Sequence, residues 1–277
     1  MRIDARDSLT IFAGRAGDRN QRAMAGAVEL GTAIAKRWGV TAHTIGARAP
    51  VVDGDWRTQL QAALPDLQLL AEDLADRLSA GRAVATTMGR CAASLATLPV
   101  VARHYPNAAI VWFDAHGDCN SPADVARSES PYLGGMVLSG AAGEWSTGLG
   151  AELDLSNVVL VGSRDLDPPE WERIESGRLH LVETGDRLAE RLLVAVGNRP
   201  VYIHLDCDVL EPGLLSTEYQ VPGGLSFEDL AGAFEALCRF RLIGIEITEF
   251  EASWPDGSPG NPSRLLDAIS SLLSRVP

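Results

Sequence analysis

Short, continuous apolar runs alternate with longer amphipathic stretches along the chain. The runs at 8–14, 40–46, 82–88, 108–114, 158–165, 179–184, 200–209 and 242–250 read as strands. The stretches at 20–39, 56–81, 91–105, 168–177, 186–197, 226–240 and 263–276 read as helices. Gly39 ends the first helix, and Pro65 is expected to break or restart the second. Unbroken apolar strands in a β-α alternation mark a parallel sheet covered on both faces. No linker, composition break or internal repeat divides the chain. We therefore expect one domain over 1–277, a single three-layer α/β/α domain with a mainly parallel sheet. In such sheets ligands bind beyond the carboxyl ends of the strands.

Polar clusters lie at those ends. Asp114, His116 and Asp118 follow the apolar run 110–113 at i, i+2 and i+4. In extended chain they face one way. Carboxylates and an imidazole crowded on one face repel unless a cation or a proton sits between them. The stretch "HLDCDVLEPG" (204–213) again places carboxylates, Asp206 and Asp208, at the end of an apolar strand. One such cluster carries little, because strand-end carboxylates often cap the next helix. Both at the same sheet edge make a mainly oxygen site of aspartates with one histidine. That donor set suits a pair of divalent ions, Mn(II) best among the common choices.

The formal charge of −13 argues against nucleic acid or an anionic membrane surface as partner. It is compatible with a small cationic substrate. Apolar residues make up 46% of the chain, ample for a large core. Cys91, Cys119, Cys207 and Cys238 show no CxxC spacing. No long apolar segment and no leader-like opening appears. We expect a soluble, cytoplasmic protein.

The motifs "DAHGD" (114–118) and "DCDVLEP" (206–212) resemble two signatures of the ureohydrolases, the family of arginase, agmatinase and formimidoylglutamase. The resemblance runs from the strand at 82–88 to the strand at 242–250, and it implies an arginase-type fold holding two Mn(II) ions. By that resemblance Asp114 and Asp206 bridge the ions. His116 and Asp208 complete one shell, and Asp118 ligates the other ion. The family's Gly-Gly-Asp-His motif is matched here by Met88-Gly89-Arg90-Cys91. Cys91 therefore falls on the position of a histidine ligand, and Arg90 replaces an aspartate. A thiolate ligand is softer than Mn(II) prefers; the bland alternative is a buried small hydrophobe. A cysteine at this point resembles an arginase-like branch acting on Nω-hydroxy-L-arginine, as do the segments 94–106 and 132–140.

The same resemblance implies the substrate contacts. Asp167, in "GSRDLDPPE" (162–170), would hold an α-ammonium, although it is also a good N-cap before Pro168-Pro169. Asn120 would contact the α-carboxylate, assisted by Ser128 or Ser130. Glu249 would receive the guanidinium as a planar bidentate partner. The family's proton-shuttling histidine is replaced by Leu133, while His104 and His180 read as structural. The expected activity is hydrolysis of the guanidino C–N bond of a small guanidino amino acid. Nω-hydroxy-L-arginine, giving ornithine plus hydroxyurea, is favoured, with Asp118 and Glu249 catalytic. Arginase proper, a hydrolase of another guanidino acid, and a non-catalytic arginase-fold subunit acting by association are the alternatives. A homo-oligomer, common in the family, is compatible with the resemblance.

Overall fold

Strands that read as unbroken apolar runs need cover on both faces. β1 (Leu9–Phe12), β3 (Val84–Thr87), β4 (Ala109–Phe113), β5 (Val158–Val161) and β7 (Val201–Asp206) are buried along their whole length. β8 (Leu242–Thr248) is buried after its first residue. β2 (Ala42–Ile45) and β6 (His180–Val182) are partly exposed, because they form the two edges. In the computed structural model, which describes residues 9–124 and 132–273, these strands form one parallel sheet. Its order is β2-β1-β3-β8-β7-β4-β5-β6.

Helices cover both faces. On one side lie α2 (Trp56–Ser79), α3 (Ser94–His104) and α4 (Val137–Ala141). Their Leu67, Leu70, Leu98 and Leu138 share a core with Trp112, Leu160 and Tyr202. On the other side lie α1 (Arg22–Trp38), α6 (Leu188–Val196), α7 (Phe227–Leu237), α8 (Ser263–Ala268) and α9 (Ser270–Leu273). Their Leu30, Leu192, Phe234 and Leu265 pack on Val111, Phe113, Ile203 and Ile245. The short α5 (Pro168–Glu175) follows β5. The parallel sheet with helices on both faces is the three-layer α/β/α architecture expected from the pattern.

Pro65 does not break its helix: α2 runs unbroken through it. Pro65 and Gln61, whose carbonyl loses its helical partner, both lie on the exposed face, where water can substitute. The buried stripe Leu60, Ala63, Leu67, Leu70 and Leu74 continues across the proline and holds the helix on the sheet. Two other boundaries differ from the pattern. Cys91–Ala93 forms a 3-10 turn ahead of α3, and the segment at 263–276 is split into α8 and α9 at Ile269.

The topology fixes the site. β3 and β4 are successive in the chain, yet β8 and β7 lie between them. The four central strands thus end along one edge, where a crevice opens. Their carboxyl ends carry Arg90 and Cys91, Glu249, Asp206 and Asp208, and Asp114. α1 reaches the same edge. A Cβ added at Gly26 would lie 1.8 Å from the carbonyl oxygen of Phe250, next to Glu249.

Two glycine substitutions test this packing. Gly26→Ala should cost about 1–3 kcal/mol or more, because the atom it meets is backbone. Gly232→Ala, on the exposed face of α7 with nothing within 4 Å of the new methyl, should gain about 0.5–1 kcal/mol. Urea unfolding measures both. A Gly26→Ala protein as stable as the parent would show that α1 does not press on the Phe250 backbone.

Candidate metal centre

The sheet edge gathers buried carboxylates with few protons to share. Asp114 is fully buried. Its Oδ1 accepts from the His116 backbone N–H at 2.7 Å, and its Oδ2 accepts from the Trp112 indole at 2.9 Å. Asp208 accepts from the Ala115 N–H at 3.1 Å. His116 Nδ1 lies 3.2 Å from carboxylate oxygens of both Asp114 and Asp208. Burial works against a charged imidazole there. Asp208 and Asp114 outweigh it and hold His116 protonated far above its ordinary range. A proton thus stands where the crowded cluster calls for a cation.

A second group adjoins the first. Asp206 Oδ1 accepts from the Asp208 N–H at 2.7 Å, and its Oδ2 accepts from the Cys91 thiol at 2.9 Å. Cys91 Sγ also lies 3.3 Å from His204 Nε2 and 3.2 Å from Thr248 Oγ1. Burial, and then the neighbouring carboxylates of Asp206 and Asp118, push the Cys91 thiol well above its usual pKa. Burial and Asp208 likewise push Asp206 up. Donor atoms of Cys91, Asp114, His204 and Asp206 lie within 4.8 Å of one another, as do those of Asp114, His116 and Asp208. Asp114 belongs to both groups. This donor set, buried and short of positive charge, fits a pair of divalent cations.

Asp118 stands apart from those two groups, although it is buried nearby. Its φ of 47° is a left-handed conformation that a non-glycine residue rarely adopts. Together with His116, Asn120, Tyr132, Gly135, Asp165, Asp167 and Glu170 it lines a cavity of about 180 Å³. Burial and Asp114 raise its pKa well above the usual carboxylate range. The Asn120 amide donates to Asp167 Oδ2 at 2.8 Å, while Asn120 Oδ1 is buried and has no partner among the described residues. Asp167 does occupy the N-cap position of α5. Glu170 spans both segments by accepting from the N–H groups of Cys119 and Asp167, each at 2.9 Å. Burial pushes Glu170 up to about 7.

Glu249 has a φ of 63°. Its Oε1 accepts from the Cys91 N–H at 2.9 Å, and its Oε2 accepts from Arg90 Nη1 at 2.5 Å. Arg90 is itself buried and also meets Glu218 at 2.5 Å, Glu251 at 3.1 Å and Asp18 at 3.5 Å. Burial pushes Glu249 up to about 7 even with Arg90 opposing it. Leu133 is wholly buried in the core, while its neighbour Tyr132 lines the cavity. Arg19 lies 4.5 Å over the Tyr132 ring. His104 and His180 are in α3 and β6, away from the carboxyl ends of the central strands. Ser128 and Ser130 fall outside the described residues.

Several neighbours of these clusters escaped the sequence reading. His204 was one, yet it stands to Asp206 and Asp208 as Asp114 stands to His116 and Asp118, at i, i+2 and i+4. That repeated spacing was the available signal. The partners of Arg90 at 18, 218 and 251 are remote in sequence and left no local trace.

A family model described as the arginase family matches residues 19–258, and the chain belongs to the arginase family. It is 38% identical to an Nω-hydroxy-L-arginine amidinohydrolase from Streptomyces lavendulae over 97% of this chain and 95% of that one. An arginase from Staphylococcus aureus is 31% identical over 54% of each chain. Among solved structures, an arginase from Bacillus cereus has a TM-score of 0.81 at 22% identity, covering 98% of this chain and 99% of that one. Proclavaminate amidinohydrolase from Streptomyces clavuligerus has a TM-score of 0.71 at 20% identity, covering 98% and 92%. At such identity these structures are alike in fold.

The raised carboxyls set a testable pH dependence. The folded, metal-free chain keeps a proton on Asp118 that the unfolded chain releases near pH 4. That contribution to stability is present at low pH and is lost as the pH rises through the folded value. In chelator, Asp118→Asn should therefore gain stability over the parent as the pH is raised from 4 to 8. Denaturant titrations across that range measure it, and parallel curves would show that the carboxylate is not under strain.

Proposed function

We propose that the protein hydrolyses the guanidino C–N bond of Nω-hydroxy-L-arginine, releasing ornithine and hydroxyurea. The observation that carries this reading is the near full-length likeness to an amidinohydrolase of that substrate, in a chain with buried acidic clusters at the matching strand ends. Asp114 and Asp206 would hold two Mn(II) ions in common. His116 and Asp208 would complete one shell, and Cys91 with Asp118 the other. When bound, the ions supply Lewis-acid activation of water at neutral pH.

The protein groups do the rest. Asp167 and Asn120 would fix the ammonium and carboxylate of the amino acid. Glu249 would bind the head group through the lone pairs that Arg90 and the Cys91 N–H leave free. Asp118 would accept a proton from the attacking water on a carboxylate oxygen and pass it to the departing ornithine nitrogen. Because Arg90 already offsets the charge of Glu249, a fully cationic guanidinium finds a weaker partner there. A hydroxyguanidine is less basic and needs that charge less. This favours it over arginine, as does the lack of a shuttling histidine at Leu133. Cytoplasmic residence and a homo-oligomeric assembly belong to the same reading. No helix among the described residues is long and apolar enough to cross a membrane.

Kinetics with Mn(II) on Nω-hydroxy-L-arginine, L-arginine, agmatine and guanidinobutyrate test this reading. We expect kcat/KM for the hydroxylated substrate to exceed that for arginine at least about tenfold, some 1.4 kcal/mol. Preference for agmatine, or no turnover with under about one equivalent of bound metal, would overturn it in favour of another substrate or a non-catalytic subunit.

Glu249→Gln should lower kcat/KM by about tenfold or more, since a hydrogen bond to a charged group contributes roughly 1.5–3 kcal/mol. Metal content should stay unchanged. Thermal unfolding of the variant separates this loss from the cost of leaving Arg90 short of a partner. Unaltered kinetics would reassign Glu249 to holding Arg90 alone.

A further inference from the structure

We infer that His204 is a metal ligand: the imidazole absent from position 91 is supplied from β7, two strands away, and the site formed by Cys91, Asp114, Asp206 and His204 takes a softer ion than Mn(II), such as Zn(II). This rests on the reading that two divalent ions occupy the sheet edge, and in the shell that Cys91 completes it exchanges Mn(II) for a softer ion and Asp118 for His204.

Geometry carries the inference. His204 Nε2 lies 3.3 Å from Cys91 Sγ. Around a tetrahedral ion with a metal–sulfur bond of about 2.3 Å and a metal–nitrogen bond of about 2.0 Å, adjacent donors would stand about 3.5 Å apart. Little movement therefore separates the ion-free arrangement from a liganded one. Carboxylates of Asp114 and Asp206 lie within the same 4.8 Å group.

The tautomer is also fixed. His204 Nδ1 lies 2.8 Å from Glu246 Oε1. Glu246 accepts at 2.6 Å from Ser94, 2.6 Å from Thr97 and 2.7 Å from Tyr202. A carboxylate so engaged only accepts, so the imidazole proton belongs on Nδ1 and the lone pair on Nε2. That lone pair points to Cys91 and to Thr248 Oγ1 at 3.3 Å. The Trp112 ring is stacked on the imidazole at 3.4 Å and 4°, which holds its plane. A carboxylate behind a histidine, fixing its tautomer and ring, is the outer-shell arrangement of metal-bound histidines.

The consequence is two unlike sites. Sulfur, nitrogen and carboxylate oxygens suit a borderline ion, whereas Asp114, Asp208 and His116 form a harder, oxygen-rich set. The full chain would carry a mixed pair of metals when both kinds are offered.

Zinc X-ray absorption decides the matter. In His116→Asn protein loaded with one equivalent of Zn(II), we expect sulfur and one imidazole around the ion. Adding His204→Gln should remove the imidazole and weaken Zn(II) binding at least tenfold. Glu246→Gln should weaken it about tenfold while keeping the imidazole, and it serves if His204→Gln does not fold. Sulfur with only oxygen neighbours in His116→Asn protein would overturn the inference, as would unchanged Zn(II) affinity on losing His204. Turnover of Nω-hydroxy-L-arginine without the imidazole signal would sink the ligand and spare the activity. The imidazole signal without turnover would do the reverse.

Discussion

Like charges that cannot reach water govern this molecule. Asp114, Asp118, Asp206 and Asp208 are buried at the ends of adjacent strands, where their repulsion finds little dielectric to weaken it. Every nearby feature works against that repulsion. Backbone N–H groups of Ala115, His116 and Asp208 point at the carboxylates, the Trp112 indole donates to one, and His116 holds a proton between two. One step further out, Arg90 collects Asp18, Glu218, Glu249 and Glu251 around a single guanidinium. The edge is stable as a layered electrostatic arrangement, with cations outside and an acidic centre that attracts its own.

That arrangement needs a rigid frame. Side chains stay at close quarters only if the backbone cannot relax, and the central strands end in short turns packed under helices. Asp118 and Glu249 both keep left-handed backbone angles that favour glycine. Such residues persist where the surroundings over-determine them: the Cys91 N–H on its carboxylate and the Gly89 carbonyl on its N–H hold Glu249, and the Leu138 N–H on its carbonyl holds Asp118. Strain and crowded charge lie in the same few residues, at the strand ends where sheets of this kind take their ligands.

What was legible in the sequence follows from distance along the chain. The strands and their order of appearance were visible because continuous apolar runs are local. The D-x-H-x-D run was visible because alternation in an extended chain puts those side chains on one face. The grouping of Arg90 with Asp18, Glu218, Glu249 and Glu251, all remote in sequence, was not, since it depends on which strands become neighbours. Pro65 was read by a local rule that the apolar stripe of α2 overrode. His204 was hidden differently: an imidazole inside an apolar strand looks like a satisfied core residue until its cross-strand partners are known.

Trp112 gives the centre a built-in optical reporter. Its indole touches the acidic cluster through Asp114 and lies flat on the His204 ring. Electron transfer from an excited indole to a stacked imidazole depends on the charge of that imidazole and of whatever it binds. With the other five of the six tryptophans replaced, the emission of Trp112 is expected to follow the occupancy of the sheet edge from inside the core, without any added dye or label.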